Sequence, residues 1–288
     1  MSEKTDRPEQ GIYYDVPMSD YRAWPAVNYS SISKGRHSLR AMHKAMTATS
    51  STASVAQGLG TAVHAAILEP EVFEEFPTFD GSRKTKAFKE FEVEQGQYCL
   101  TKLEKTYARL LDGVVRDDAR CRYVIEDSVH EACLVWHDER YGWAKMRVDM
   151  LGRDFMADVK TGREITAHAM NRAFFSTYGW GYFLQWGWAL EAFEHLRPDV
   201  ADKMKGYLIA VATPDVNKKE DENFVPDAYC AEIEREAIEA GRDTAVSIAS
   251  NYYEITKSGS DAFPGVSGGA RMTLRLPNYM KTDWKVGE

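Results

Sequence analysis

The stretch over residues 143–161, WAKMRVDMLGRDFMADVKT, constrains the fold of this chain more than any other. Apolar and polar residues alternate over 144–151, which predicts a β-strand with one buried face. Residues 152–154, Gly-Arg-Asp, have the composition of a tight turn, and residues 155–160 resume an extended run. The sequence therefore predicts two β-strands joined by a short turn.

Two carboxylates and an amine are expected to meet on this hairpin. Side chains two apart on a strand share a face, so Asp158 and Lys160 project together, and strand pairing can bring Asp149 beside them. Adjacent carboxylates repel each other unless a cation neutralises them, and oxygen ligands suit Mg²⁺, with Mn²⁺ as the alternative ion. A lysine near such an ion can orient or help to deprotonate a water for phosphodiester hydrolysis. The alternative is a solvated strand face, which is the commoner meaning of an isolated Asp-x-Lys pair.

Two residues upstream are candidates for the same site. A strand is predicted over 129–136, and if the sheet follows chain order, Glu131 lies next to Asp149 as a third acid. Alternation places Glu131, Cys133 and Val135 on one face of this strand, and His130, Ala132, Leu134 and Trp136 on the other. His64 lies in a compact apolar helix predicted over 61–68. Judged alone, Glu131 is as readily a solvated edge residue, and His64 is more often a core histidine than a metal ligand.

Basic and aromatic residues supply candidates for nucleic-acid contacts. The densest basic cluster comprises Arg83, Lys84, Lys86 and Lys89, just before and within a predicted helix. Cations in this position suit phosphate groups, and a charged surface turn is the alternative. Gln185 lies in an aromatic-rich helical stretch with Tyr182, where a buried amide needs a backbone or substrate partner.

Periodicity predicts the remaining elements. An irregular strap is predicted over 12–33, followed by a basic helix over 34–46 capped by Ser31 or Ser33. Further helices are predicted over 100–118, 167–175, 178–196 and 234–253, and further strands over 205–213 and 228–233.

Composition restricts the class of protein. The net charge of −8 argues against a generally basic nucleic-acid coat, although a local basic groove remains compatible with it. The four cysteines, Cys99, Cys121, Cys133 and Cys230, form no C-x-x-C pair, so buried reduced thiols are expected, with an iron–sulfur cluster as the alternative. The first ten residues are polar and no long apolar run occurs, so we expect a cytoplasmic protein that makes no membrane contact.

The order strand, strand, strand, helix, strand, with acids on the central strands and a lysine two residues after the last acid, resembles the PD-(D/E)XK nuclease core. More narrowly, the chain resembles the RecE-type (exonuclease VIII) branch found in phages and prophages. The matching stretches are YRAWPAVNYSSIS, LGTAVHAAILEP, DGSRKTK, HEACLVW, KMRVDML, ADVKTG, YFLQWGWAL and LRLPNYM, in this order.

The resemblance implies an α/β fold with a restriction-endonuclease-like core: a mixed central sheet flanked by helices, with N-terminal helical decoration. After a flexible lead over 1–11, we expect one nuclease domain over 12–288. It would comprise an N-terminal strap and helices over 12–120, a catalytic core over 121–255 and a C-terminal strap over 256–288.

The family's site residues carry over to matching positions of this sequence. The resemblance implies that His64, Glu131, Asp149 and Asp158 bind metal and, with Lys160, form the catalytic site. It places Tyr182 and Gln185 near DNA or the active site, alongside the predicted basic cluster. One departure is Ala189, which stands where the family often has a tyrosine four residues after the glutamine.

The implied activity is a Mg²⁺-dependent DNA exonuclease. Its expected substrate is a linear double-stranded DNA end, resected 5′ to 3′ to leave a single strand for an annealing protein. A ring-shaped homo-oligomer and a phage or prophage origin in a bacterial host are further expectations. The rival hypotheses are a DNA-binding or phage–host interaction protein without cleavage, and an iron–sulfur nuclease of the CRISPR-adaptation type.

Overall fold

A mixed β-sheet forms the centre of the computed structural model, which describes residues 7–48, 55–175, 181–215 and 224–265. The strands are β1 (Gly11–Tyr13), β2 (Val27–Asn28), β3 (Thr78–Phe79), β4 (Leu100–Thr101), β5 (Val129–Asp138), β6 (Gly142–Leu151), β7 (Phe155–Gly162), β8 (Lys205–Ala212) and β9 (Ala228–Ile233). The helices are α1 (Met18–Ala23), α2 (Tyr29–Gly35), α3 (Leu39–Thr47), α4 (Val55–Leu68), α5 (Pro70–Glu75), α6 (Lys86–Gln95), α7 (Lys102–Asp117), α8 (Ala119–Glu126), α9 (Ala167–Phe175), α10 (Phe183–Leu196) and α11 (Arg235–Lys257), with a 3₁₀ turn at Ala201–Lys203.

The main sheet has the strand order β1-β5-β6-β7-β8-β9, and β2 pairs in parallel with the start of β6. β7 and β8 are parallel, whereas the other neighbours along this path are antiparallel. A parallel pair needs a crossover, which α9 and α10 supply between β7 and β8. The predicted fold class, a mixed central sheet flanked by helices with additional N-terminal helices, is confirmed.

Helices cover both faces of the sheet. On one face, apolar side chains of α4, α7 and α8 form a buried cluster with β7 and β8, including Val63, Ile67, Leu111, Val159 and Ile209. On the other face, α2, α3, α10 and α11 pack against alternate residues of β5 and β6. The sheet is therefore buried between two helical layers, and functional groups can reach solvent only where these layers leave a gap.

The helices α10 and α11 pack very closely because glycines face each other at their crossing. A Cβ atom at Gly187 would overlap the backbone of Gly241 and Arg242, and one at Gly241 would overlap the backbone of Phe183. This approach fixes α10, which carries Gln185, against the rest of the domain.

The predicted hairpin of β6 and β7 is confirmed, and the structure adds that the two strands pair only near their turn. β6 and β7 pair only at Met150–Ala157 and Leu151–Met156, next to the turn. The following pair would be Asp149 and Asp158, but there the strands separate, and β2 pairs with β6 at its far end. The two aspartates therefore lie at a fork in the sheet, where backbone groups are free to bond side chains instead of a neighbouring strand.

The N-terminal third differs from the prediction in two places. The helix predicted over 34–46 is two helices, α2 and α3, which end and begin around Gly35 and Leu39. Their caps are Asn28 and Ser38; Ser31 occupies the third position of α2, where its hydroxyl completes a capping box with Asn28. The strap predicted over 12–33 contains β1, α1 and β2.

The terminal segments are partly described. Within the lead predicted over 1–11, the Arg7 guanidinium lies 3.3 Å from the ring centroid of Trp143, and Gly11 begins β1. In the predicted C-terminal strap, Phe263 stacks on His43 with ring centroids 4.1 Å apart. The matching stretch LRLPNYM lies outside the described residues.

Candidate active site

The site is built at the fork between β6 and β7. Where the two strands separate, the backbone N–H of Val159 has no strand partner on that side and donates to Asp149 Oδ2 at 3.0 Å. This bond holds the Asp149 carboxylate inside the fork. On β7, the neighbouring Asp158 is 2% exposed, whereas the Lys160 side chain is 19% exposed and reaches the cleft. The side chains of Asp149, Asp158 and Lys160 thus lie together at the fork, as the sequence predicts.

His64 approaches the fork from α4. Its Nε2 lies 2.6 Å from Asp149 Oδ2, and its Nδ1 lies 3.9 Å from Glu131 Oε1. α4 can come this close to the sheet because it carries Gly60, where a Cβ atom would lie 2.9 Å from Thr161 Oγ1. The imidazole is 30% exposed, so it is held by carboxylates at a cleft and is not enclosed in the apolar core.

Glu131 reaches the site from β5 through an unusual backbone conformation. Its φ of 56° is left-handed, which costs a non-glycine residue about 1–2 kcal/mol. The simple alternation predicted for this strand fails here. Ala132, Leu134 and Trp136 face the α10 layer as expected, but the His130 ring contacts the Leu68 carbonyl of α4 at 2.8 Å. The local strain thus turns both Glu131 and His130 towards α4.

His64, Glu131 and Asp149 could hold a metal ion, since each offers a ligand atom and these atoms lie within 4.8 Å of one another. One imidazole nitrogen and two carboxylate oxygens are suitable ligands for Mn²⁺ or Mg²⁺. Asp158, also predicted as a ligand, does not belong to this group. Its carboxylate instead accepts hydrogen bonds from Lys160 Nζ and Gln185 Nε2.

The charges at the fork are strongly coupled. Burial disfavours a protonated His64, but the carboxylates of Asp149, Asp158 and Glu131 outweigh it and raise the pKa of His64 to about 9. Burial would likewise raise the pKa of Asp149, yet His64 holds it below its usual value. Burial and Asp149 together raise the pKa of Asp158. At neutral pH the three acids are compensated by His64, Lys160 and Arg147, so excess negative charge appears only when His64 loses its proton, and a divalent cation bound to the neutral imidazole would relieve it.

Lys160 is an ammonium group in this environment. Burial favours the neutral amine, but Asp158 and Asp149 outweigh burial and raise the pKa of Lys160 above its ordinary value. The expectation that it helps to deprotonate a water is therefore not supported by its surroundings. Orienting the water and stabilising negative charge are roles that an ammonium can perform. The ring of Tyr182 lies 5.0 Å from Lys160 Nζ and adds a cation–π contact.

Gln185 is almost fully buried on α10, and its carbonyl oxygen has no partner among the described residues. Its amide nitrogen donates to Asp158, so the glutamine predicted near the site contacts a predicted catalytic residue. Ala189, one turn further along α10, is fully buried in the core. The position where the resembled family often has a tyrosine is thus filled by packing in this chain.

An open cleft of about 1400 Å³ leads to these groups. Its polar end contains His64, Glu131, Asp149, Lys160 and Tyr182, and its other lining includes Pro17, Met18, Leu68, Val72, Phe76 and Val129. This volume exceeds the roughly 300–1,000 Å³ of ordinary small-molecule pockets.

The basic cluster is not gathered into one surface. Arg83 points inward and bonds Glu104 at 2.8–2.9 Å and the Cys99 carbonyl at 2.7 Å, so its guanidinium stabilises the α6–α7 region. Lys86 is 90% exposed and pairs with Glu90 on the same helix. Lys86 and Lys89 border a separate shallow depression with Val93, away from the main cleft. DNA contacts by Lys84, Lys86 and Lys89 stay a prediction, whereas Arg83 has a structural role.

Two residues near the site were not singled out from the sequence. Arg147 bonds Glu131 from the neighbouring strand, and its position two residues before Asp149 on the same strand face was a usable signal. Tyr29, at the start of α2, is close enough to Lys160, Asp158 and Tyr182 for their charges to influence its pKa, which burial raises to about 12. No pattern in the sequence connected Tyr29 with the fork.

The cysteines do not support the iron–sulfur alternative. All four are buried free thiols, and no described group of three or more clustered metal-ligating side chains contains a cysteine. A second such group, Asp138, Glu191 and His195, joins the β5–β6 turn to α10. Arg140 and Tyr141 already bond its buried Glu191, so it forms a structural network. Within the described ranges, no helix has the length and apolar character needed to cross a membrane.

Comparisons with known proteins support the fold. No family model matches the chain, and no curated protein matches it. Among solved structures, a candidate exonuclease from Eubacterium rectale aligns with a TM-score of 0.58 and 11% identity, over 95% of this chain and 100% of that one. A phage-related exonuclease from Haemophilus somnus aligns over 79% of this chain and 94% of its own, with 16% identity and a TM-score of 0.31, too low to carry an argument. At these identities the first likeness shows a shared fold.

Proposed function

We propose that this protein is a metal-dependent nuclease that digests DNA from its ends. The observation that carries the proposal is the convergence of His64, Glu131 and Asp149 from three separate elements, directly beside the Asp158–Lys160 pair. A histidine, three acids and a lysine meet here where two strands of the central sheet separate. A merely solvated strand face does not require such a convergence. The fold shared with a candidate exonuclease agrees with this function.

Each residue has a role that its contacts support. His64, Glu131 and Asp149 would hold the divalent ion, and the Val159 N–H keeps Asp149 in place for this role. When bound, such an ion lowers the pKa of a coordinated water and neutralises charge on the scissile phosphate. Lys160 orients the water and stabilises developing charge, and its partner Asp158 fixes the ammonium at the fork. Gln185 in turn holds Asp158.

The finer assignment rests on the resemblance to RecE-type exonucleases. We propose that the substrate is linear double-stranded DNA, resected 5′ to 3′ in the presence of Mg²⁺ or Mn²⁺, and that the product is a single strand for an annealing protein. The open cleft is compatible with entry of a strand end. A ring-shaped oligomer, DNA contacts by Tyr182 and a cytoplasmic location in a phage-infected or prophage-carrying bacterium belong to the same proposal.

End-labelled linear duplex and closed circular duplex, each incubated with Mg²⁺ or with EDTA, test this function. We expect the linear DNA to be digested only with the metal and the circle to be spared. Asp158→Asn and Lys160→Met should reduce digestion by at least about a thousandfold while the folded state is retained. Full digestion by either variant would contradict the assignment. DNA binding without any digestion would favour the rival DNA-binding protein.

A further inference from the structure

We propose that Arg147 is a positioning residue that couples the divalent-ion site to the N-terminal segment 14–18 bordering the cleft. This inference rests on the proposed metal-dependent function. It concerns a residue that would touch neither ion nor substrate and would act through Glu131.

Arg147 bonds Glu131 in a way that leaves one carboxylate oxygen available. Its Nε donates to Glu131 Oε2, whereas Glu131 Oε1 faces His64 Nδ1 at 3.9 Å. The side chains of Arg147 and Glu131 are 13% and 16% exposed, so solvent competes little for this bond. The guanidinium therefore fixes which oxygen of Glu131 is presented to the proposed ion.

The same guanidinium also holds the N-terminal segment. Arg147 Nη1 donates to the Val16 carbonyl at 2.7 Å. In β1, Tyr13 pairs with Cys133, and Cys133 pairs with Arg147 on β6, so the three residues form a row across three strands. Immediately after this row the N-terminal chain leaves the sheet, and Val16, Pro17 and Met18 then line the cleft.

Backbone conformation supports the coupling. Asp15, with a φ of 54°, and Glu131, with a φ of 56°, are the non-glycine residues in the described part of the chain with left-handed backbones. One lies directly before the carbonyl that Arg147 bonds, and the other carries the carboxylate that Arg147 bonds. Sparsely populated conformations persist only where surrounding contacts determine them, and Arg147 bonds both Glu131 and Val16, the residue that follows Asp15.

Two consequences follow if one side chain links both places. Loss of the guanidinium should weaken ion binding, because partners of metal ligands typically contribute about 10–100-fold to metal affinity. Since coupling between two sites is reciprocal, ion binding should also steady the segment through Glu131 and Arg147. A residue with only a structural role would not link these two measurements.

The test combines Mn²⁺ titration calorimetry with hydrogen–deuterium exchange of the amides in residues 14–18, on the full chain. For wild type we expect Mn²⁺ to slow exchange in this segment. For Arg147→Gln we expect about 10–100-fold weaker Mn²⁺ binding, faster exchange in the segment and no slowing at saturating Mn²⁺. Arg147→Lys should recover part of the affinity through its charge but little of the slowing, since lysine cannot bond both partners in the same fork-like geometry.

Arg235→Gln is the matched control, because Arg235 likewise bonds a carboxylate, Glu239, and a backbone carbonyl, that of Ala201, but lies on α11 away from the cleft. It should leave both measurements unchanged. Wild-type Mn²⁺ affinity in Arg147→Gln, or weaker affinity with unaltered exchange over 14–18, would overturn the proposal. If Arg147→Gln does not fold, Arg147→Lys and Glu131→Gln are judged by the same two measurements. Neither measurement requires DNA cleavage, so a protein that binds Mn²⁺ with this coupling but digests no DNA would refute the nuclease function alone.

Discussion

His64 Nε2 lies 2.6 Å from Asp149 Oδ2, and this pair joins helix α4 to the fork in the central sheet. The two residues are 85 positions apart in the chain. The bond forms because α4 approaches the sheet at Gly60, and because the separation of β6 and β7 turns Asp149 inward to the Val159 N–H. In this structure a proton joins His64 Nε2 and Asp149 Oδ2. A metal ion bound by these two atoms would take the place of that proton.

The free energy of unfolding should depend on pH through His64. The carboxylates raise the pKa of His64 from 6.5 to about 9 in the folded protein, so His64 stabilises the fold fully below pH 6.5 and loses this contribution as the pH rises through 9. In EDTA, the free energy of unfolding should therefore fall over this range, by up to about 3 kcal/mol from this group. Urea unfolding of wild type and His64→Gln at pH 6.5 and pH 9.5 measures the effect.

The informative quantity is the difference in pH dependence of the free energy of unfolding between wild type and His64→Gln. Burial lowers the pKa of Lys145 to about 8, so its deprotonation stabilises the fold as pH rises and acts in the opposite direction. Lys145 is present in both proteins and cancels in the comparison. Asp149, whose pKa is lowered to about 2, loses its contribution only at much more acidic pH. An identical pH dependence in wild type and His64→Gln would show that the pair does not form.

The second prediction separates activity from stability at Gln185. Gln185→Leu removes the donor to Asp158, so we expect turnover to fall by at least about tenfold. It also removes a buried carbonyl that has no partner among the described residues. This removal offsets part of the cost, about 1–3 kcal/mol, of leaving Asp158 without its amide donor, so the free energy of unfolding should fall by less than about 2 kcal/mol. Gln185→Glu places a second carboxylate beside Asp158 and should lower both. A strongly destabilised Gln185→Leu would contradict this account of the amide.

The third prediction separates Arg83 from its basic neighbours. Arg83→Met should destabilise the fold by about 3 kcal/mol, because it leaves the buried Glu104 without its ion-pair partner. Lys86→Met, at an exposed position, should leave stability unchanged. If Lys86 contacts phosphate, its loss should make the plot of log binding constant against log salt concentration shallower by about one unit of slope. Urea unfolding and DNA titrations at several salt concentrations distinguish the two roles, and equal stability of both variants would refute them.

The fourth prediction tests the packing that places α10. Gly187→Ala should destabilise the fold by about 3 kcal/mol or more, because its methyl group would overlap the backbone of α11. Gly113→Ala is the matched control within α7, where an added Cβ meets nothing within 4 Å. It should stabilise the fold by about 0.5–1 kcal/mol, since alanine favours a helix over glycine. Thermal unfolding of both variants is the measurement, and a tolerated Gly187→Ala would mean that the two helices can separate.

The hairpin and its acids could be predicted from sequence because they lie within one short stretch. Alternation over 144–151 fixes which side chains share a face, and the spacing of Asp158 and Lys160 fixes their common direction. The fork itself could not be predicted, because alternation describes one strand and not where two strands stop pairing. His64 was assigned only through the resemblance, since a contact across 85 residues leaves no periodic signal.

The misjudged features share a physical cause, which is competition between local patterns and tertiary contacts. The continuous helix predicted over 34–46 ignored Ser38, which caps a new helix after a break. Arg83 was predicted to contact phosphate, but the capping box of α7 places Glu104 beside its guanidinium. At Glu131, a left-handed backbone overrides the regular strand pattern and turns His130 to the other face of the sheet.

The most direct test of the account is a crystal structure of the protein with Mn²⁺, in which anomalous scattering locates the ion. We expect an ion at about 2.0–2.3 Å from a nitrogen of His64 and from carboxylate oxygens of Glu131 and Asp149, with Lys160 beside it. Asp149→Asn crystals under the same conditions should lack the peak. An ion bound elsewhere, or a wild-type fork without an ion at saturating Mn²⁺, would contradict the proposed metal centre.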